Sequence, residues 1–214
     1  MKGSPYIGVF CSVTEDIAIV PTTITQKETS VLEKTLGVSA VRAGIGNSSL
    51  AGILMKGIGK KFAVTELIER EEERVLEKHG LELFKIQGGF TSTGNLISMN
   101  KNGGIASPLL SDRHVEALEE FFGIKFEVMK IADNDVCGAS ITVTNKGFIC
   151  HPNISDEAFS GLERVFGVKG MATTANFGDM FVGNSMLANS KGAVAGINTS
   201  GIELSKIDEG LRGD

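Results

Sequence analysis

Cys150 and His151 form the one adjacent thiol and imidazole pair in the chain. A cysteine nucleophile needs a base that takes its proton and an acid that orients the base. Adjacent residues of an extended strand point to opposite faces, so these two side chains would not meet. We therefore expect Cys150 to be a core residue and His151 to pack before Pro152. Because Cys11 and Cys137 also fall in predicted strands, no catalytic residue is expected.

The sequence also gives little support for a phosphate-binding loop or a metal site. The segment GIGKK at 57–61 has the glycines and lysine of a phosphate-binding loop, but no serine or threonine follows to hold magnesium. It also lies at a predicted hairpin turn rather than before a helix. The three histidines and three cysteines are dispersed, so we expect no metal site and no cofactor.

Lysines recur at the predicted hairpin turns, beginning with Lys56 in the second of five similar units. Repetition would place these turns on one rim of the molecule, and a basic rim could contact RNA. A turn of sequence Asn-Lys-Gly is also simply a soluble turn of good geometry, which is the explanation we favour. The candidate RNA contacts on this rim are Lys60, Lys61, Lys101, Lys146 and Lys191.

Polar loops rich in Gly, Asn, Ser and Thr lie between the units and would form the opposite face. They offer many hydrogen-bonding groups and little charge, which suits docking on a protein surface, although connectors of this composition often have no such role. The candidate binding residues on this face are Asn47, Ser48, Thr93, Gly94, Asn95, Asn134, Asp135 and Asn184.

A repeat of glycines indicates the frame that positions these loops and turns. Each of the five follows a predicted helix and precedes an aliphatic residue, and the intervals between them are 43, 43, 44 and 43 residues. A glycine just past a helix adopts the left-handed conformation that ends it. Such a device at one period predicts a repeat protein. The glycines are Gly37, Gly80, Gly123, Gly167 and Gly210.

Each unit contains a second glycine, from which we predict a strand, a turn and a second strand before the helix. These glycines are Gly8, Gly52, Gly94, Gly138 and Gly183. The helix starts are marked by capping residues. Thr25 with Glu28 and Ser200 with Glu203 match the capping box, Ser111 and Ser155 are simple N-caps, and Thr65 is expected to cap the second helix.

One β-β-α-β unit cannot bury its own apolar faces, so the five must pack on each other. We predict a single α/β domain over 1–214, a closed ring with pseudo-fivefold symmetry and with its helices outside. The repeats span about 6–46, 47–90, 91–134, 135–178 and 179–214. The last is too short for a full third strand, and we expect the N-terminal segment to help close the gap.

Bulk properties narrow the function classes. The 214 residues are 42% hydrophobic, with net charge −5 and a pI near 5.3. This acidity argues against DNA or RNA held mainly through phosphates. With no membrane span, no signal peptide and too few cysteines for a disulfide framework, we expect a cytoplasmic monomer.

The joint order of these motifs resembles the translation initiation factor 6 family, in its archaeal form. The single motifs are of modest specificity, but together they span all five units. They are GNSSLAG at 46–52, GNL at 94–96, SP at 107–108, VTNKG at 143–147 with HP at 151–152, and ANSKGAV at 188–194 with SGIEL at 200–204.

The resemblance implies the five-bladed αβ propeller called the pentein fold, and no catalysis. It implies binding to the large ribosomal subunit on the face that meets the small subunit, which prevents premature joining, with a possible role in subunit maturation. The partner would be a basic ribosomal protein near the sarcin–ricin loop of the rRNA. The contact face would be the one that carries Gly94 and Asn95.

Two alternatives remain at this point. Penteins include guanidine-modifying enzymes, but those place a cysteine nucleophile late in the chain, and no cysteine follows Cys150 here. Fold alone does not decide between these functions. The other alternative is an RNA-binding module that uses the lysine rim.

Overall fold

The computed structural model describes residues 3–213, which form five similar blades. In each blade a one-turn helix leads into an inner strand, and a hairpin returns as an antiparallel second strand. A long helix then leads, in blades 1 to 4, to a third strand that pairs in parallel with the second. This mixed α/β order is the predicted β-β-α-β repeat with a helical turn added before it.

The elements of each blade follow in chain order. Blade 1 has α1 (Ile7–Phe10), β1 (Ser12–Val13), β2 (Ile17–Val20), α2 (Gln26–Leu36) and β3 (Ser39–Arg42). Blade 2 has α3 (Ala51–Leu54), β4 (Met55–Ile58), β5 (Lys61–Thr65), α4 (Arg70–Lys78) and β6 (Glu82–Ile86). Blade 3 has α5 (Thr93–Leu96), β7 (Ile97–Met99), β8 (Gly104–Ala106), α6 (Asp112–Phe122) and β9 (Phe126–Val128). Blade 4 has a 3-10 turn (Cys137–Ser140), β10 (Ile141–Val143), β11 (Gly147–Cys150), α7 (Asp156–Phe166) and β12 (Lys169–Ala172). Blade 5 has α8 (Val182–Ser185), β13 (Met186–Asn189), β14 (Gly192–Ala195) and α9 (Gly201–Arg212).

The apolar core is divided among the contacts between neighbouring blades. Ile19 of blade 1, for example, shares a buried cluster with Phe62 of blade 2. An equivalent cluster joins blade 5 to blade 1, where Leu187 packs with Leu32 and Leu36. Because the last blade packs on the first, the predicted closed ring is confirmed.

A second ring, made of glycines, closes around the axis. A Cβ built on Gly52 would lie less than 3.0 Å from the carbonyl oxygen of Gly8, and the same holds for each glycine and its neighbour around the circle. Folded proteins essentially never show so short a Cβ contact. Only glycine therefore lets the five one-turn helices approach the axis. The ring is Gly8, Gly52, Gly94, Gly138 and Gly183.

These axial glycines were expected to begin strands, and that expectation is wrong. Each lies in a one-turn helix, or in the 3-10 turn of blade 4, and the inner strand starts afterwards. Gly94 thus belongs to α5, and β7 begins at Ile97. Likewise Cys11 is the C-cap of α1 and Cys137 begins the 3-10 turn, so neither lies in a strand, although both are buried.

Most helix ends follow the expected chemistry. The capping boxes of Thr25 with Glu28 and of Ser200 with Glu203 are both present. The α2, α6 and α7 helices end at left-handed Gly37, Gly123 and Gly167. Ser111, expected to be a simple N-cap, forms a reciprocal box in which the ring of His114 accepts from its backbone N–H.

Two helix boundaries were predicted wrongly. Glu69, not Thr65, is the N-cap of α4, and Glu72 completes the box. The final helix continues past Gly210 and ends at Gly213, which has φ +71°. Gly210 is buried instead against Ile149 and Met171 of blade 4, where a Cβ would meet their side chains within 3.0 Å.

Blade 5 has a two-stranded sheet within the described residues, against three strands in the other blades. The N-terminal segment was expected to help here. Met1 and Lys2 lie outside the described residues, and Gly3 to Tyr6 form no ladder with β14. The Pro5 carbonyl does accept a hydrogen bond from Asn176 at 3.0 Å, beside Gly196 at the end of β14.

No helix within residues 3–213 combines the length and apolarity needed to cross a membrane.

Replacing Gly52 with alanine should destabilise the protein by more than about 4 kcal/mol, because the new methyl group would overlap backbone atoms that cannot move away independently. Gly201→Ala is the matched control, because a Cβ there meets nothing within 4 Å. It should change the free energy of unfolding by no more than about 0.5 kcal/mol. Urea denaturation measures both variants, and equal midpoints would contradict the constraint at the axis.

Candidate functional site

The ring has two ends, which differ in chemistry. We call one the turn face; it carries the hairpin turns near residues 14–16, 59–60, 100–103, 144–146 and 189–191 and the C-terminal ends of the long helices. We call the other the loop face; it carries the connectors 43–50, 87–92, 129–136 and 173–181 and the N-terminal ends of the same helices. The two faces follow from chain direction, because every long helix runs from the loop face to the turn face.

The turn face is held together by hydrogen bonds from one blade to the next. The side-chain amide of Asn100 donates to the carbonyls of Thr144 and Phe166, both at 3.0 Å. That of Asn189 donates to the carbonyl of Leu36 at 2.8 Å. An asparagine at a hairpin turn thus satisfies a free carbonyl at the end of the next blade's helix.

Glu15 makes the corresponding link across the closure. One of its carboxylate oxygens accepts from the backbone N–H of Ser190 at 2.9 Å and from the Ser190 hydroxyl at 2.7 Å. The same oxygen accepts from the Asn145 amide at 3.3 Å, so one carboxylate joins blades 1, 4 and 5.

The lysines of the turn face fall into two groups. The Lys61 ammonium donates to the Phe121 carbonyl at 2.8 Å, and that of Lys191 donates to the Glu15 carbonyl at 2.6 Å. These two lysines have structural partners. Lys60, Lys101 and Lys146 project into solvent.

Lys56 does not belong to the rim where the sequence placed it. It lies within β4 and faces the axis of the ring.

On the loop face, Asn47 is exposed and has a left-handed backbone with φ +57°. Its N–H and that of Gly46 donate to the two carboxylate oxygens of Glu72, at 2.9 and 2.6 Å. Ser48 is half-buried and pairs with Ile45 in an isolated bridge. The helix-capping carboxylate of α4 therefore also fixes the connector that precedes blade 2.

The remaining loop-face candidates differ in accessibility. Thr93 and Gly94 are buried, so neither offers surface to a partner. Asn95 and Asn184 each follow an axial glycine and are half-buried beside the axis. Farther out, Asn134 is half-buried.

Asp135, also half-buried, forms an ion pair with Lys130 at 3.0 Å. Of the eight candidates on this face, six therefore retain accessible surface. They are Asn47, Ser48, Asn95, Asn134, Asp135 and Asn184.

Sequence reasoning missed the exposed apolar residues of the loop face. Phe177 is 86% exposed, Ile197 87% and Ile202 75%. The segments that carry them are adjacent, because Glu203 binds the Phe177 N–H at 3.1 Å and Asn176 packs against Gly196. A phenylalanine inside the polar connector NFGD at 176–179 was the available signal, since such a side chain finds no partner in a tight left-handed turn.

Glu203 fixes the connector that presents Phe177. Its carboxylate accepts from the N–H groups of Ser200 and Gly178, at 2.7 and 2.8 Å, and from the Thr174 hydroxyl at 2.7 Å. Burial by itself would raise the pKa of this carboxyl. The hydrogen bonds from Ser200, Thr174 and Gly178 outweigh it and lower the pKa to about 2.

The cysteines are poorly suited to nucleophilic chemistry. Cys11, Cys137 and Cys150 are all buried, and burial raises the pKa of each thiol to about 12. Thiolate formation is therefore disfavoured. His151 is buried as well, with its ring edge on Phe181. Within residues 3–213, no group of three His, Cys, Asp or Glu side chains is placed to hold a metal ion.

Five blades closed around one axis, four of them β-β-α-β and the fifth β-β-α within residues 3–213, define a pentein, an αβ propeller. A model of the eIF-6 family matches residues 1–210 of the sequence. The chain belongs to this family.

Relatives named "Translation initiation factor 6" match almost the whole length. The protein of Methanocella arvoryzae is 39% identical over 209 residues, which are 98% of this chain and 94% of that one. The protein of Natronomonas pharaonis is 38% identical over 212 residues, covering 99% and 96%. The protein of Pyrococcus horikoshii is 32% identical over 216 residues, covering 98% and 95%.

Solved structures of enzymes are more distant. The DDAH of Pseudomonas aeruginosa in complex with citrulline is 16% identical, with a TM-score of 0.47, over 97% of this chain and 73% of its own. An agmatine deiminase of C. jejuni is 12% identical, with a TM-score of 0.41, over 58% and 50%. Likenesses this distant carry no argument about activity.

Replacing Glu203 with glutamine should loosen the connector at 176–178 and destabilise the protein by about 2 kcal/mol at pH 7, because charge-assisted hydrogen bonds are lost. The wild-type carboxyl titrates at a lower pKa in the folded chain than in the unfolded chain. Its contribution is therefore complete above the ordinary glutamate pKa of 4.5 and is lost as the pH falls toward about 2. Stability measured by urea denaturation across this window should fall less steeply in Glu203→Gln. Parallel curves for the two proteins would refute the assignment.

Proposed function

We propose that the loop face binds the large ribosomal subunit on the side that meets the small subunit, and so prevents premature joining of the two. The partner is a basic ribosomal protein near the sarcin–ricin loop of the rRNA. Membership of the translation initiation factor 6 family supports this function. The observation that supports the choice of face is the exposed apolar group of Phe177, Ile197 and Ile202.

Apolar side chains of this size are rarely left in water without a reason when they lie together. Phe177 is held by its backbone in the turn that Glu203 fixes, so little ordering remains to be done on binding. Pre-organised aromatic anchors of this kind contribute a large share of the energy of protein interfaces.

The charge of the loop face suits a basic partner. Carboxylates occur there because they stabilise the N-terminal ends of the long helices, where the helix dipole is positive. Those that remain exposed attract a basic surface toward the face, although the exposed cations Lys27, Arg70 and Arg113 lie at the same helix starts. The exposed carboxylates at these helix starts and connectors are Glu69, Glu71, Asp112, Asp133, Asp156 and Glu157.

The exposed turn lysines Lys60, Lys101 and Lys146 serve, on this proposal, as a secondary contact with rRNA. Lys61 and Lys191 contribute less, because their ammonium groups are already bonded to carbonyls. The chain is a cytoplasmic monomer that holds its ribosomal partner without catalysis. The raised thiol pKa values of the cysteines disfavour the guanidine-modifying alternative.

Co-sedimentation tests the function directly. Purified protein is mixed with large and small archaeal ribosomal subunits at a magnesium concentration that favours joining. We expect the protein to travel with the large subunit alone and to lower the peak of joined ribosomes. Protein that remains at the top of the gradient, or an unchanged peak of joined ribosomes, would overturn the proposal.

Replacing Phe177 with alanine should weaken binding to the large subunit at least about tenfold, since removal of an aromatic anchor costs more than about 1.4 kcal/mol. Val31→Ala is the matched control, because Val31 is 52% exposed but lies on α2 at the outside of the ring. Titration of labelled protein with large subunits measures both affinities. Equal affinities for the two variants would exclude the Phe177 patch as the contact.

Replacing both Lys101 and Lys146 with glutamate tests the turn face. As a secondary contact, it should change affinity less than Phe177→Ala and should reduce the dependence of affinity on salt. A loss of binding larger than that of Phe177→Ala would make the lysine rim the main interface and favour the RNA-binding alternative.

A further inference from the structure

The axis of the ring contains a small polar cavity with one cationic side chain among the residues that the structure describes. The inner strands of the five blades contribute one equivalent residue each, as their pairing registers show. Four of these residues are uncharged, and the fifth is Lys56. The set is Ser12, Lys56, Ser98, Thr142 and Leu187.

The cavity beside Lys56 has a volume of about 40 Å³. Axial glycines and the hydroxyl residues Ser12 and Thr142 line part of it. One water needs roughly 10–15 Å³ of such volume, so the space holds about three waters or one small ion with a water.

Lys56 has no acidic partner within the described residues. No hydrogen bond or ion pair of its ammonium is formed there, and no carboxylate lines the cavity. Glu15 lines a neighbouring axial cavity and is occupied by Ser190 and Asn145. Burial lowers the pKa of the Lys56 ammonium to about 8, and the Cys137 thiol acts in the opposite direction.

The Lys56 side chain is half-buried. Its ammonium still needs compensation, because removal from water, even in part, disfavours the charged form. Burial has lowered the pKa of Lys56, but at about 8 it still leaves most of the side chain protonated at pH 7. The hydroxyls of Ser12 and Thr142 already donate to backbone carbonyls through long bonds of 3.4 Å. The Ser98 hydroxyl, at the equivalent position of blade 3, is buried without any partner in the described part of the chain, but it does not line this cavity.

From this geometry we propose that the axial cavity binds a small inorganic anion of about the size of chloride, with the Lys56 ammonium as its counter-charge. The cavity is too small for a nucleotide or a sugar phosphate. The anion neutralises the charge of this half-buried ammonium, so that its binding stabilises the closed ring by mass action.

A bromide experiment locates the anion. Crystals of the full chain are grown or soaked in bromide in place of chloride, and the anomalous difference map is calculated. We expect a peak in the axial cavity within hydrogen-bonding reach of the Lys56 Nζ. A cavity that contains only water density, with no anomalous peak, would overturn the proposal.

A solution experiment tests the role of the lysine. Melting temperatures are compared in chloride and in gluconate at the same ionic strength, because gluconate is too large for the cavity. The measured quantity is the difference in melting temperature between chloride and gluconate. This difference should be lost in Lys56→Met, which keeps an unbranched side chain of nearly the same length without its charge.

Lys101→Met is the matched control. Like Lys56→Met it removes one positive charge, but from the exposed turn face, so the effect of salt through net charge is the same in both variants. We expect it to keep the wild-type difference between chloride and gluconate. If both variants keep that difference, the proposal is wrong. Should Lys56→Met fail to fold, the bromide map of the wild-type chain decides the question.

Discussion

At the axis, each of five glycines packs without a side chain against the carbonyl oxygen of the next, and the rest of the molecule depends on that contact. Each one-turn helix lies against the next at a distance that a single methyl group would prevent. The inner strands begin directly after these helices, so the glycines set the radius of the ring. With the radius fixed, the buried clusters between blades are fixed as well, because each blade is held against the blades on its two sides, as blade 1 is against blades 2 and 5.

The long helices connect this axis to the periphery by polar contacts at both ends. At the turn face, Asn100 and Asn189 satisfy helix carbonyls of the next blade. At the loop face, Glu72 and Glu203 cap their own helices. Each also accepts a hydrogen bond from a connector, Glu72 from the Gly46 N–H and Glu203 from the Gly178 N–H. The hydrogen bonds of the turn face join neighbouring blades, and those of the loop face fix the conformation of the connectors. The turn face is therefore mainly architecture, while the loop face is free to present side chains to a partner.

The closure between blades 5 and 1 is the least regular part of the ring. Blade 5 has two strands in the described residues where the others have three, and α9 extends beyond the expected glycine to pack on blade 4. Side chains compensate for part of the missing ladder: Glu15, Asn189 and Leu187 all cross this junction. The exposed apolar group of the loop face lies beside the same blade, so the irregular blade also carries the surface that we propose for binding.

The sequence by itself determined the repeat, its period and the closed ring, because glycine, asparagine and capping residues act through local backbone geometry that spacing reveals. The family resemblance added the class of partner. Tertiary structure alone decided that Thr93 and Gly94 are buried, that Lys61 and Lys191 are bonded to carbonyls, and that Phe177 is exposed. It also decided that Lys56 faces the axis and that Gly210 is packed rather than a helix end. These outcomes depend on which residues of other blades lie opposite, and no local pattern encodes a contact between residues that are far apart in the chain.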